Sequence, residues 1–382
     1  MAGYVMTIKK EEGIEIIKRC FETGIYSTEL NISNNAWSHS HEGTFADYLS
    51  MKKGDNIYFF SDRMIYGIGE LIDVGNDKVG YDCKYLNYED ADKPDGGKDK
   101  SYDELDALLD GPYSTKNRCF CTFKAAPYFF ENGVDMDDVL NSNPNKFKML
   151  RVLWKLSFIK IDDEENKALR DIILKRNEEN YLDKKRVIEL KENYHDEIRK
   201  KIRSVNRFDS HTILDLCSEK KKINHEMAIE AALCELLTHE DHEIFGDKWD
   251  YISRQVVASP FKPVDYMDKM DIFGYRYIKN YDAISKYIII EIKKDKAQSE
   301  VIDQIMKYVD WVGREYAHGD YSMIEAYVVA YDFVEEVKEK KEKDATRGYV
   351  KGSRPVTSGK WDNVRLVKYS YDSGKLKFQE ID

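Results

Sequence analysis

The chain has 382 residues, of which 42% are hydrophobic and 13% aromatic, enough for two or three domains with real cores. Charged residues make up 34% and the formal net charge is -11, which argues against a general nucleic-acid coat protein without excluding an enzyme that acts on nucleic acid. No apolar run is long enough to span a bilayer, and the first ten residues lack a signal-peptide core, so a cytoplasmic protein without a membrane segment is expected. The six cysteines are scattered. Only Cys119 and Cys121 lie close together, at a spacing that fits no zinc motif, so reduced thiols are expected.

In chain order, a first strand and a helix around Gly13–Phe21 precede an unusual run from Trp37 to Leu49. His39 and His41 flank Ser40 at strand-like spacing. Two histidines without a third ligand are more often polar contacts than a metal site. Gly54-Asp55 then leads into Asn56–Phe60, the turn Ser61-Asp62-Arg63, and Met64–Ile72, a β-hairpin by pattern. Gly67 and Gly69 alternate with apolar residues, so a backbone or a ligand approaches closely there.

Residues 31–75 resemble the EVE and YTH group of PUA-like β-barrels, which read Gly-Asp, an apolar strand, a turn and Ile-Tyr-Gly-Ile-Gly-Glu in this order. Leu150–Ile159 is read as a later part of the same barrel. The resemblance implies recognition of a modified base in an aromatic pocket. Trp37, Tyr58 and Trp154 are the candidate stacking rings, and Asn34 and Asn35 the candidate amides for a base edge. Each ring also has the ordinary reading of a core aromatic.

Residues 162–205 are highly charged, with Val187, Leu190, Tyr194 and Ile198 spaced as one helical stripe, which predicts a connecting helix or a dimerisation surface. Met227–Leu237 is a second helix, with Ile229, Leu233, Leu236 and Leu237 as its apolar stripe and Glu230 beside it. Glu226 and Glu235 are read as solvent-facing.

Strands are expected over Gln255–Ser259, Met270–Ile278, Tyr287–Lys293 and Ile324–Asp332, with a helix over Gln298–Tyr316 between the last two. Val364–Tyr371 and Lys375–Gln379 form a hairpin about Asp372-Ser373-Gly374. The Ile-rich strand ends in Glu291-Ile292-Lys293. Side chains two apart share one face of a strand, so the carboxylate and the ammonium project together. Asp271, at the start of the preceding strand, supplies a second carboxylate. Two carboxylates suit Mg²⁺, which prefers oxygen ligands and keeps several waters. A neighbouring ammonium can orient an attacking water or stabilise charge developing on phosphorus. Taken singly, each of these elements has a bland reading: a strand end reaching solvent, a turn aspartate, a surface pair on a helix.

In order, Asp271, Glu291-Ile292-Lys293, Gln304 and Tyr308 resemble the PD-(D/E)xK nuclease superfamily, and within it the archaeal and actinobacterial mismatch-specific endonuclease type, over about residues 223–335. The resemblance implies that Asp271 and Glu291 bind Mg²⁺ (or Mn²⁺), that Lys293 is catalytic, that Glu230 assists the metal shell, and that Gln304 and Tyr308 line the site. Met270 stands where the family often has proline. The basic stretch Thr346–Pro355 is flexible in composition and is read either as a phosphate contact or as a solvated loop.

The expected architecture is therefore α+β. A PUA/EVE-like barrel (1–165) precedes a helical connector (166–222) and a restriction-endonuclease-like α/β core (223–382). The expected activity is Mg²⁺-dependent cleavage of DNA, directed at modified DNA by the N-terminal domain, with a homodimer expected where both strands are cut. The alternatives are a structure- or mismatch-specific DNA or RNA nuclease, and a catalytically silent nucleic-acid sensor.

Overall fold

A computed structural model describes residues 1–8, 13–29, 32–33, 36–37, 39–87, 105, 108–109, 118–155, 158–191, 193–219, 222–258 and 268–381. It is a mixed α/β structure that divides into two compact units, Met1–Phe208 and Asp209–Asp382. The stretch 166–222, expected as a separate connector, is shared between them.

The first unit contains β1 (Gly3–Thr7), α1 (Gly13–Thr23), β2 (Ile25–Glu29), α2 (His39–Leu49), β3 (Asn56–Ser61), β4 (Met64–Leu71), β5 (Lys84–Asn87), β6 (Arg118–Ala125), β7 (Val134–Asp135), β8 (Phe158–Ile161), α3 (Asp163–Arg176) and α4 (Asn193–Lys201). Its main sheet runs β8-β1-β3-β4-β6-β2, with β7 on β4 and β5 on β6. The expected hairpin is β3–β4. Asp62 and Arg63 both take positive φ, 47° and 66°, the two-residue geometry whose twist matches that of the flanking strands. Asp55 is structural: it is buried and accepts from the backbone N–H groups of Ala2 (2.9 Å) and Lys52 (3.2 Å).

What approaches Gly67 and Gly69 is the protein itself. A Cβ on Gly67 would lie 2.6 Å from the Phe21 ring, and one on Gly69 would lie 2.4 Å from the Ile57 side chain. Phe21 in turn stacks on Phe129 at 4.4 Å between centroids.

Several expectations are corrected. His39 and His41 begin α2 rather than lying along a strand. Leu150–Lys155 is a 3-10 turn, and only Phe158–Ile161 joins the sheet, antiparallel to β1. The stripe through Val187 and Ile198 is not one helix. Lys184 takes a left-handed backbone angle that ends the short helix Glu178–Asp183 before the stripe begins, and Val187–Ile188, the first member of the stripe included, pairs as a short strand with Phe129–Phe130. Only Tyr194 and Ile198 of that stripe fall on a helix, α4.

The second unit contains α5 (Glu226–His239), β9 (Tyr251–Val257), β10 (Lys269–Tyr277), β11 (Ile284–Ala297), α6 (Glu300–Glu315), β12 (Ile324–Phe333), α7 (Glu335–Asp344), β13 (Arg347–Ser353), β14 (Val356–Trp361), β15 (Val364–Asp372) and β16 (Lys375–Ile381). The sheet order is β9-β10-β11-β12-β15-β16. β10 is antiparallel to β11, whereas β11, β12 and β15 are parallel. The parallel step from β11 to β12 needs a crossover, and α6 supplies it. Ile288, Ile289 and Ile290 are all fully buried. Because successive side chains alternate, both faces of β11 are covered. The basic stretch Thr346–Pro355, read as a phosphate contact or a solvated loop, lies in a hairpin, β13–β14, and Arg347 at its base forms a bidentate pair with Asp310 at 2.7 and 2.9 Å.

None of the six cysteines forms a disulfide, and all are buried. Burial pushes the Cys119 and Cys121 pKa values well up. No helix among the described residues is long and apolar enough to cross a membrane.

Candidate active site

The antiparallel register pairs Phe273 with Ile289 and Ile272 with Ile290. Carried one step further, it sets Asp271 opposite Glu291, with Lys293 two residues on along the same face. The hydrogen bonds agree. Asp271 Oδ2 accepts from the backbone N–H of Ile292 at 2.8 Å, and Lys293 Nζ donates to Glu291 Oε1 at 2.6 Å. Glu291 is 1% exposed, and its other oxygen, Oε2, is buried without a hydrogen-bond partner.

Electrostatics follow from this crowding. Burial first, then the Asp271 charge, push the Glu291 pKa up to about 8, with Lys293 pulling the other way. Asp271 is also raised, mainly by burial, while the Ile292 N–H and Lys293 oppose the shift. Burial is the largest influence on Lys293 and favours its neutral form. The carboxylates of Glu291, Asp271 and Glu226 together outweigh it and raise its pKa. Two buried carboxylates beside one ammonium thus hold a proton near neutral pH, which a bound cation would displace.

Three residues that sequence reasoning did not place in the site are part of it. Gln255 lies between the pairs Arg254–Ile272 and Val256–Met270 of the β9–β10 ladder and takes φ of 49°. Left-handed backbone on a non-glycine residue inside a strand costs about 1–3 kcal/mol and is retained where surroundings enforce it. Here its amide donates to Asp271 Oδ1 (3.1 Å) and to Glu230 Oε1 (3.3 Å). Arg254 pairs with the same Glu230 at 3.3 Å. Glu226 is exposed, as read from sequence, yet it accepts from the Lys294 backbone N–H at 3.1 Å and acts electrostatically on all three central groups. The signal available was the polar run Ser253-Arg254-Gln255 between the apolar ends of the strand Tyr251–Val257. Two consecutive polar residues cannot both face away from a covered sheet.

Glu230 is buried on α5 and is held by Arg254 and Gln255, so it reaches Asp271 through Gln255. Tyr308 on α6 donates to the Lys269 carbonyl at 2.7 Å and accepts from Gln304 Nε2 at 3.1 Å. That pair ties the crossover helix to the strand carrying Asp271. Burial raises the Tyr308 pKa, and the nearby Glu291 and Asp271 charges add to it.

Among the described residues, no three acidic, imidazole or thiol side chains converge as a ready-made cage for a metal. The residues nonetheless fit a hard cation that keeps water ligands. Asp271 and Glu291 face each other, and Glu291 Oε2 is an acceptor with nothing to accept from.

Of the candidate base-reading residues, Tyr58 alone has a described side chain. Tyr58 is fully buried in β3, its hydroxyl donating to Asn166 Oδ1 at 2.7 Å, so it is a core ring with no free face for a base. Trp37 lies in the short strand Ala36–Trp37 and Trp154 in the 3-10 turn. Their side chains, like Asn34 and Asn35, lie outside the described residues.

No family model and no curated protein matches the chain. Among solved structures, a repair endonuclease from Pyrococcus abyssi matches over 34% of this chain and 46% of its own, at 22% identity and a TM-score of 0.21. An EndoMS–dsDNA complex matches over 33% of this chain and 45% of its own, at 16% identity and a TM-score of 0.20. The chain thus spans less than half the length of either.

Proposed function

We propose that the second unit is a divalent-cation-dependent nuclease that hydrolyses DNA phosphodiester bonds. The observation that carries this reading is the Asp271–Glu291 pair with Lys293 beside it, above all the buried, unpartnered Oε2 of Glu291. Asp271 and Glu291 would hold Mg²⁺ or Mn²⁺. The cation, when bound, supplies Lewis acidity at a phosphoryl oxygen and lowers the pKa of a bound water. Lys293 has three donors and uses one on Glu291. The others are free to hold a water or a phosphoryl oxygen and to stabilise the charge that develops there. Gln255 and Glu230 keep Asp271 oriented, and Tyr308 fixes the strand that carries it. The first unit would select the substrate, by a modified base, as its EVE-like pattern suggests. Restriction of foreign, modified DNA is the corresponding role.

The test is cleavage of plain and base-modified duplexes with Mg²⁺, Mn²⁺ or EDTA, by the wild type and Lys293→Ala. The expected result is metal-dependent cutting that prefers the modified duplex and falls roughly 100- to 1,000-fold in the variant, with DNA binding retained. Undiminished cutting by Lys293→Ala would remove the mechanism. Tight binding of modified DNA without any cutting would make the chain a sensor.

A further inference from the structure

The first unit carries a cavity of about 730 Å³ lined by Pro127, Arg170, Leu174, Lys175, Glu178 and Tyr181 among others. None of these was singled out by the sequence patterns. That volume lies within the range of small-molecule sites.

The walls are firmly placed. Arg170, Leu174 and Lys175 lie on α3, and the short helix Glu178–Asp183 follows after Asn177. Asn177 is buried and caps α3 with both its backbone N–H and its side-chain amide on the Ile173 carbonyl, each at 3.1 Å. Its own carbonyl accepts from the Tyr181 backbone N–H at 2.9 Å. The Tyr181 ring packs against Tyr128 at 5.8 Å between centroids, yet the residue stays 46% exposed.

The chemistry is divided. Pro127, Leu174 and Tyr181 offer apolar and aromatic surface. Arg170 and Lys175 offer positive charge, and Nε of Arg170 is buried with no hydrogen-bond partner. A guanidinium and an ammonium in one wall make an anionic acceptor the natural complement of this side of the cavity. Glu178 adds an acceptor suited to an amino or imino group. A flat aromatic ring with donors on its edge and an attached anion satisfies all three.

We propose that this cavity binds a nucleotide. The base lies against Tyr181, Leu174 and Pro127, and its amino or imino edge faces Glu178. The phosphate is held by Arg170 and Lys175. The same chemistry is presented by a free mononucleotide and by a nucleotide extruded from a strand. The site stands on the first unit alone and does not depend on the second unit being a nuclease.

The test is calorimetric titration of the full chain in EDTA with each deoxynucleoside monophosphate, with inorganic phosphate and with a short single-stranded oligonucleotide. It is repeated with Tyr181→Ala and Arg170→Gln. Tyr181 is surface-accessible, so its truncation keeps the test open should Arg170→Gln fail to fold. The expected result is nucleotide binding that weakens roughly tenfold or more in Tyr181→Ala, as loss of one stacking partner does. Preference for the monophosphate identifies a diffusible ligand, and preference for the oligonucleotide identifies an extruded one. Absence of binding by all nucleotides, or binding by phosphate as tight as by nucleotides and unchanged in Tyr181→Ala, would overturn the assignment.

Discussion

Glu291 is the residue on which the candidate site turns. A carboxylate with one oxygen buried and unpartnered destabilises the fold in the absence of a cation, by about 1–3 kcal/mol. Glu291→Gln removes most of that charge burden at nearly constant shape. In EDTA above about pH 8, where Glu291 is ionised, the variant should therefore melt several degrees above wild type, and at any pH it should lose metal-dependent cleavage. Adding Mg²⁺ should raise the wild-type melting temperature and leave the variant where it was. A wild-type protein indifferent to Mg²⁺ in that scan would remove the metal from the site. Glu165, in the first unit, makes a separate pH prediction. Burial first, then the Asp162 charge, push its pKa up to about 8, against backbone N–H donors at Lys148 and Leu150. The folded state thus binds this proton more tightly than the unfolded chain. The stabilisation is fully present below about pH 4.5 and is lost as pH rises through about 8. Thermal melts across that window should decline with pH in the wild type and decline less steeply in Glu165→Gln, where Glu291 still contributes a loss of the same sign.

At the scale of elements, the long apolar strands and the crossover helix were legible because their patterns are strong. Tyr287–Lys293 was read within Ile284–Ala297, and Gln298–Tyr316 against Glu300–Glu315. What escaped was set by backbone angles or by distant partners. Val187 left an apparent helical stripe because Val187–Ile188 pairs as a strand with Phe129–Phe130, a distant partner that no spacing rule shows. Gln255 escaped likewise, since its role comes from φ of 49° and two acceptors on other elements. Glu226 was rightly read as exposed, but its place beside Lys294 depends on the fold. Within the first unit, β4 is locked against α1 at Gly67, where φ is 82° and the Phe21 ring lies within 2.7 Å of an added Cβ. Gly67→Ala combines backbone strain with overpacking, so it should lower stability by roughly 2–4 kcal/mol in denaturant melts. Wild-type stability in that variant would mean that Phe21 is not held there.

For the whole molecule, the division after Phe208 separates the acidic site from the proposed base-reading unit. Each unit has its own sheet and its own buried residues. Residues 209–382 expressed alone should therefore fold and retain metal-dependent cutting, but without preference for modified DNA. Cutting with undiminished preference would move substrate selection into the second unit.

The distribution of the cysteines adds a different kind of readout. Cys20, Cys83, Cys119 and Cys121 belong to the first unit, and Cys217 and Cys234 to the second, all shielded from solvent. An alkylating reagent can then reach a thiol only when the surrounding structure opens. The mass gained, and the peptide that gains it, would tell which half of the chain opened and how often. The native protein thus carries an internal clock for each unit, readable without adding a label site.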